Sequence, residues 1–219
     1  MAEFPVGEGT RVRQLPRRGQ YDRETIYRIL DEGFVCHVGF VQDGQPFVIP
    51  TLYGRLEDSL VLHGAPGSRM LTHVGAGEPV CVTVTLVDGL VVARSVFHHS
   101  VNYRSVVLLG RGRLVAEEPE RLRALEALTE HILPGRWAEA RRPSQEELDA
   151  TAVAVLPIEA ASAKIRTGPP VDGEEDYGLP VWAGLLPLPT QAGPPVPDPR
   201  LRDGIPVPES LRSYGRRRG

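Results

Sequence analysis

An eight-residue stretch near the middle of the chain, HHSVNYRS (98–105), concentrates polar side chains between apolar neighbours. Asn102, Arg104 and Ser105 offer hydrogen-bond donors, and Tyr103 adds an aromatic face. Amide and guanidinium groups bind oxyanions through charge-assisted hydrogen bonds, so this stretch suits an anionic, planar ligand. A solvated polar loop ahead of a strand at 105–115 is the alternative interpretation.

A second polar cluster follows an apolar strand, in LHGAPGSRM (62–70). His63 ends that strand, Gly64 opens a turn of small residues, and Ser68 precedes Arg69 where a helix begins. Free amide groups at a helix start favour an anion, and an adjacent arginine strengthens the site. A plain strand-to-helix turn with Ser68 as the N-cap is the alternative. Two Ser/Arg pairs, each at the edge of a β element, together indicate one shared phosphate site.

Other chemistries find little support in the sequence. His98 and His99 are adjacent, so in an extended chain their side chains point in opposite directions. The chain has no HExxH, CxxC or GxSxG pattern, and no metal site or hydrolase triad is predicted. Gly110-Arg111-Gly112 lacks the third glycine of a dinucleotide fingerprint. Cys36 and Cys81 are expected to be free, buried thiols in a reducing compartment.

Length and charge narrow the class of protein. The chain has 219 residues, enough for one large domain or two small ones, and a net charge of −3. No broad basic surface is expected, which argues against binding nucleic acid. The N-terminus lacks the apolar segment of a signal peptide, and no apolar run reaches the roughly 20 residues of a membrane span. A soluble cytoplasmic protein is therefore predicted.

Hairpin and cap signals predict the elements that position these clusters. Asp43-Gly44 lies between two β-rich runs, a strong signal for a two-residue hairpin turn. Successive strands joined by short links, with helices inserted, favour a closed or partly closed antiparallel barrel. We therefore predict a mainly β protein with peripheral helices. Further signals are a helix from Asp22 to Gly33, a turn at Glu57-Asp58, a capping box of Ser144 and Glu147, and a last strand at 152–165.

The composition changes at Gly168. Eleven of the 21 prolines lie in the final 52 residues. Proline removes backbone donors, so this tail is predicted to form neither sheet nor long helices. Apolar residues from Leu179 to Leu188 indicate that it packs on the domain or on a partner subunit. Two regions follow: a domain at 1–167 and a proline-rich tail at 168–219.

Four segments carry a resemblance to a known family. VCHVGFVQDGQPFVIPTLYGRL, LVLHGAPGSRML, FHHSVNYRSVVLLGRGR and LPVWAGLLPL resemble, in order and spacing, the pyridoxamine-phosphate-oxidase-like flavoproteins, with the nitroimidazole-resistance (Nim) branch the most similar. The resemblance covers residues 11–188. It implies an FMN-binding split β-barrel and a homodimer with flavin at the subunit interface. The basic Arg-x-His segment of pyridoxamine-phosphate oxidases proper is missing, which argues against oxidation of vitamin B6.

The resemblance also implies the roles of individual residues. His63 would be the proton donor or acceptor at a bound substrate, with a hydrogen bond to the ribityl chain as the alternative role. By position it assigns the isoalloxazine edge to the strand of Val48, Ile49, Pro50, Thr51 and Leu52, the ring or ribityl chain to His63 and Gly64, the phosphate to Ser68, Arg69, Asn102, Arg104 and Ser105, and a reach across to the partner's flavin to Trp182. Ser100 and Tyr103 are further predicted cofactor contacts.

The implied function is an FMN-dependent oxidoreductase. Its substrate would be a small planar electrophile such as a nitroaromatic or quinone, with NAD(P)H as one candidate donor. A non-catalytic flavin protein for storage or sensing is the alternative. Relatives with this barrel also bind deazaflavin or haem, and the sequence does not choose between these cofactors.

Overall fold

The computed structural model describes residues 2–214, which form mainly antiparallel strands with helices between them. Neighbouring strands pair in antiparallel registers. The strands are β1 (Gly19–Gln20), β2 (Val35–Gln42), β3 (Gln45–Leu56), β4 (Ser59–Gly64), β5 (Pro79–Val92), β6 (Ser100–Arg111), β7 (Arg113–Leu114), β8 (Ala152–Pro157), β9 (Ala160–Arg166) and β10 (Gly184–Pro187).

The helices lie between the strands and in the tail. They are α1 (Arg23–Glu32), α2 (Arg69–Gly75), α3 (Glu118–Ile132), α4 (Arg136–Glu139), α5 (Gln145–Asp149) and α6 (Glu209–Arg212). Short 3-10 helices span Pro16–Arg18, Val96–His98 and Glu174–Gly178. Among residues 2–214, no helix is long and apolar enough to cross a membrane.

The chain divides into two compact units. Unit 1 comprises residues up to 36, 81–109 and 159–190, and unit 2 comprises 37–80, 110–158 and residues from 191 onward. In unit 1 the strand order is β1-β9-β6-β5, with β10 pairing to β5; in unit 2 it is β2-β3-β4-β8-β7. The tail predicted to begin at Gly168 is thus shared between the units, and the boundary at 167 stays a prediction.

Local signals in the sequence are matched by the structure. Asp22 caps α1 by accepting a hydrogen bond from the backbone N–H of Thr25 at 2.8 Å. Asp43 and Gly44 both have positive φ, 51° and 76°, as a tight hairpin turn of the favoured hand requires. The capping box before α5 is also present, with reciprocal bonds between Ser144 and Glu147. The single strand predicted at 152–165, by contrast, is interrupted between Pro157 and Ala160 and forms two strands, β8 and β9.

The core of unit 2 holds the end of β4 in place. Ala124 and Leu128 of α3 pack against Val61 of β4 and against Val153 and Val155 of β8. β4 pairs with β3 on one side and with β8 on the other, so it is a central strand. His63 pairs in register with Val153, so its imidazole projects from a strand that is paired on both sides.

In unit 1 the polar run at 98–105 is strand rather than loop from Ser100 onward, after a 3-10 helix that ends at His98. β6 begins at Ser100 and pairs with β9 from Tyr103 to Leu109. The prediction that the tail contains no sheet is wrong, because Gly184–Pro187 forms β10 against β5. Asp172 fixes an earlier part of the tail by accepting from the backbone N–H groups of Arg94 and Ser95.

Candidate functional site

His63 lines a cavity of about 720 Å³ within unit 2. Sites for small molecules and cofactors have volumes of roughly 300–1,000 Å³, so this cavity has the size of a ligand site. Its wall combines apolar side chains with several charged ones. They include Leu125 and Leu128 of α3, Arg136 and Trp137 of α4, and Arg141.

The surroundings of His63 favour the neutral form of its imidazole. Burial lowers the pKa of His63 below its ordinary value, because the charged form loses its hydration. Its Nδ1 atom is buried and has no hydrogen-bond partner. A neutral imidazole with an uncommitted ring nitrogen can act as a metal ligand or as a proton acceptor.

Three other histidines are committed to the main chain. His73 bonds the carbonyl of Pro79, His99 bonds the carbonyl of Ser95, and His131 receives the backbone N–H of Arg55. In addition, His73 packs against Phe40, and His131 against Tyr53. His63 thus differs from these three in having a buried nitrogen without a partner.

The flavin contacts predicted in unit 2 include a stretch of β3 and a residue at the start of α2. The residues from Val48 to Leu52 occupy the middle of β3, and Val48 and Leu52 are 67% and 39% exposed. Arg69 packs its guanidinium over the ring of Phe47, at 4.2 Å from the centroid, and belongs to no ion pair of the described residues. Arg69 is therefore an oriented cation that could receive a phosphate.

His63, Gly64, Ser68 and Arg69 lie close together in the chain around the turn that follows β4. Gly64 ends β4, and Ser68 directly precedes α2. Ser68 occupies the N-cap position of α2, as in the alternative interpretation, but its hydroxyl makes no capping bond. Its backbone N–H bonds the carbonyl of Ala65 at 2.9 Å, which tightens the turn.

Arg104, on β6 in unit 1, has two carboxylate partners. Its guanidinium donates to both oxygens of Glu32 at the end of α1, and to Asp88 on β5 at 2.6 Å. The hydrogen bonds to Glu32 and then to Asp88 raise the pKa of Arg104. Two carboxylates around one guanidinium leave a local excess of negative charge, which repels a phosphate. The assignment of Arg104 to a phosphate stays a prediction, and this geometry counts against it.

The other predicted residues of β6 lie in a different environment. Asn102 is buried and accepts a hydrogen bond from Arg166, the last residue of β9. Tyr103 pairs in register with Arg166, and the hydroxyl of Ser105 donates to the carbonyl of Lys164. Ser100 opens the strand and is half-buried.

Trp182 is 68% exposed in unit 1, two residues before β10. Its ring packs against Gly184, where a Cβ would come within 2.9 Å of it. The structure thus holds the indole at the surface, and its predicted contact with a partner's flavin is untested.

Arg166 and the α4 wall of the cavity were not predicted from the sequence. Arg166 follows Lys164 at the end of an otherwise apolar strand, and two cations in alternation there were a signal. Arg136 and Trp137 lie on a helix of four residues that no periodic pattern marks. Within residues 2–214, no three His, Cys, Asp or Glu side chains come together in a group that could hold a bare metal ion.

The family follows from comparison with known proteins. Residues 22–165 match the family model described as pyridoxamine 5'-phosphate oxidase. The chain therefore belongs to this family, and the predicted fold class is confirmed: a mainly antiparallel sheet with helices, consistent with the split barrel of the family. No curated protein matches the chain significantly.

Two solved structures match nearly the whole chain. The flavocytochrome Anf3 from Azotobacter vinelandii is 41% identical, with a TM-score of 0.89 over 94% of this chain and 96% of that one. An FAD- and haem-binding protein from Mycobacterium smegmatis is 40% identical, with a TM-score of 0.86 over 90% and 96%.

A third solved structure is more distant. It is described as a 5-nitroimidazole antibiotic resistance protein from Bacteroides thetaiotaomicron VPI-5482, and it is 22% identical with a TM-score of 0.56, over 66% of this chain and 84% of that one. At this identity the likeness concerns the fold alone.

Proposed function

We propose that this protein binds FAD and haem and carries electrons between them, as a flavocytochrome. Two relatives that are 40% and 41% identical over nearly the full length are named for a flavin and a haem. The sequence contains no C-x-x-C-H motif, so the haem would be held without a covalent bond. FMN, predicted from the resemblance, becomes the alternative flavin.

The observation that carries the haem assignment is the environment of His63. Haem iron brings four ring nitrogens and needs only axial ligands from the protein, and histidine is a common one. His63 is half-buried, its Nδ1 atom has no hydrogen-bond partner, and the residue lines a cavity of about 720 Å³. His63 would therefore hold the haem iron through its imidazole, in place of the role of proton donor at a flavin.

The rest of the cavity fits a planar apolar group with acidic substituents. Leu125, Leu128 and Trp137 supply apolar contacts. Arg141 is already engaged with Glu147, at 2.5 and 2.7 Å. Arg136 makes a longer ion pair, at 3.7 Å from Glu139, so its guanidinium is more available than that of Arg141 to bind a propionate.

The flavin would be held by the exposed middle of β3 and by Arg69. The open strand from Val48 to Leu52 offers backbone groups and apolar side chains to a ring, while Arg69 offers a cation to a phosphate. A flavin supplies two-electron chemistry and a haem supplies one-electron chemistry. The chain itself would orient both groups and keep the His63 imidazole neutral.

Two finer parts of the proposal rest on the sequence resemblance. Reduction of a small planar electrophile is a further reaction that a reduced flavin could perform. A homodimer is the second part, supported by exposed apolar side chains in the tail. They include Leu179, Val181, Trp182, Leu185 and Leu186.

Absorption spectra of the purified protein test the proposal. The expected result is a Soret band together with flavin bands, and chromatography of the released flavin should identify FAD. His63→Ala should lose the Soret band and keep the flavin, whereas His99→Ala, an exposed control already bonded to Ser95, should keep both. A Soret band of wild-type intensity in His63→Ala would overturn the ligand assignment, and a protein that takes up neither cofactor would overturn the function.

A further inference from the structure

The tail docks on the α4 wall of the His63 cavity through a buried serine. Ser210, in α6, is 4% exposed and belongs to unit 2, as α4 does. Its hydroxyl donates to Oε2 of Glu139 at 2.5 Å, and its backbone N–H donates to Oε1 at 3.1 Å. A Cβ at Gly135, the residue before α4, would lie 3.8 Å from the Cβ of Ser210. Ser210 therefore contacts α4 at its start and at its end.

The position of α4 depends on such contacts. It has four residues, far fewer than the roughly 12–15 that an isolated helix needs to be stable in water. At its start, Glu130 of α3 accepts hydrogen bonds from the backbone N–H groups of Gly135 and Trp137, at 2.6 and 2.8 Å. At its end, Glu139 is held by the tail. Both α3 and α6 thus fix the segment that carries Arg136 into the cavity wall.

Ser210 also determines where the Glu139 carboxylate points. Arg136 and Glu139 both line the cavity, three residues apart on α4, which is a spacing that allows a helical ion pair. Their closest nitrogen and oxygen atoms are nevertheless 3.7 Å apart, too far for a charge-assisted hydrogen bond. The hydrogen bonds from the Ser210 hydroxyl, and then from its backbone N–H, lower the pKa of Glu139. The carboxylate is therefore stabilised by the tail.

We propose that Ser210 is a positioning residue for the cavity: it holds the Glu139 carboxylate and so leaves the Arg136 guanidinium available to an acidic group of a bound ligand. The inference rests on the proposed function for the identity of that ligand, a haem with two propionates. Without Ser210, Glu139 would turn to Arg136, as Glu147 already pairs with Arg141. Tail docking and ligand binding therefore favour each other, because both require the same arrangement of Arg136 and Glu139.

Haem with and without charged propionates isolates this effect. Full-length protein is loaded with haem or with haem dimethyl ester, and the rate at which each leaves to an excess of scavenger apoprotein is measured. Ser210→Ala should speed the release of haem by about three- to tenfold, since binding must then compete with a surface ion pair, and change that of the ester by less than about twofold. A tail that merely closes the cavity would slow the release of both, so equal changes for haem and ester overturn the proposal.

A rescue variant and a matched control complete the test. Glu139→Gln, added to Ser210→Ala, should restore slow release of haem, because a neutral amide does not neutralise Arg136. Ser213→Ala removes a neighbouring hydroxyl of the tail, which donates to the carbonyl of Glu209 at 2.8 Å, and should leave both rates unchanged. Unchanged release of haem in Ser210→Ala, or fast release that Glu139→Gln does not restore, overturns the proposal.

Failure of the proposed function is distinguishable from failure of this role. If the wild type takes up no haem, the proposed function fails, and urea unfolding of the same protein decides the role of Ser210. A double-mutant cycle of Arg136→Gln and Glu139→Gln measures their coupling. In Ser210→Ala this coupling should increase the folding equilibrium constant by about two- to fivefold more than in the wild type, the range of a surface ion pair. A coupling that is no larger in Ser210→Ala overturns the proposal.

Discussion

Replacing Arg104 by methionine should reveal what this guanidinium does for stability. It joins the end of α1 to β5 through Glu32 and Asp88, and both carboxylates accept from the same nitrogen, Nη2. Arg104→Met removes these bonds and leaves two like charges within a few ångströms of each other. A hydrogen bond between charged groups contributes about 1.5–3 kcal/mol, and breaking a fully buried pair costs about 3–5 kcal/mol.

Partial exposure reduces that figure. The side chains of Arg104, Asp88 and Glu32 are 24%, 32% and 38% exposed, so solvent screens part of the interaction. We expect a loss of about 2–3 kcal/mol in the free energy of unfolding, measured by urea denaturation. Arg113→Met, which breaks an exposed pair with Glu120, should lose less stability than Arg104→Met does.

A rescue variant separates charge repulsion from lost packing. Glu32→Gln and Asp88→Asn, added to Arg104→Met, should restore part of the loss, because neutral amides do not repel each other. The reasoning is refuted if Arg104→Met costs no more than Arg113→Met, or if the triple variant is less stable than Arg104→Met alone.

Three further predictions follow from burial and close contacts. Burial raises the pKa of Cys36 to about 12, and Cys81 is less buried, so a thiol reagent at pH 8 should label Cys81 first; equal rates would contradict this. Burial alone would raise the pKa of Asp172, but hydrogen bonds from backbone N–H groups hold this pKa below its ordinary value. The stabilising effect of the Asp172 carboxylate should therefore be full above about pH 4 and decline as the pH falls further. Asp172→Asn should remove this pH dependence when thermal unfolding is measured at several pH values. Gly54→Ala would place a Cβ 2.6 Å from the Cα of Leu128, so chemical denaturation should show a loss of about 1–3 kcal/mol, and a neutral result would mean that α3 can shift.

Features encoded by neighbouring residues could be predicted from the sequence. The cap at Asp22 and the turn at Asp43-Gly44 depend on atoms a few positions apart, and both are present. The turn works because Asp and Gly tolerate positive φ, a property of the residues themselves. The four segments that carry the resemblance were also sufficient for the family to be recognised.

Features that depend on distant partners could not be predicted in this way. Arg104 has a partner 72 positions away, and Arg166 has one 64 positions away. A sequence shows that an arginine is present but not whether a carboxylate neutralises it, and that difference decides which arginine is available to a phosphate. The same limit applies to His63, whose significance comes from a cavity wall formed by α3 and α4.

The pairing of β10 with β5 also bears on how this chain avoids aggregation. Residues 89–92 of β5 bond to Gly184–Pro187, and the backbone N–H of Leu188 reaches the carbonyl of Asp88 at 3.1 Å. An unpaired strand edge is a template on which other chains can add. β10 occupies these backbone groups, and its own outer edge is four residues long and ends at Pro187, which has no N–H to donate. The tail thus covers one edge of β5 with β10, and the proline that ends β10 keeps the new outer edge short.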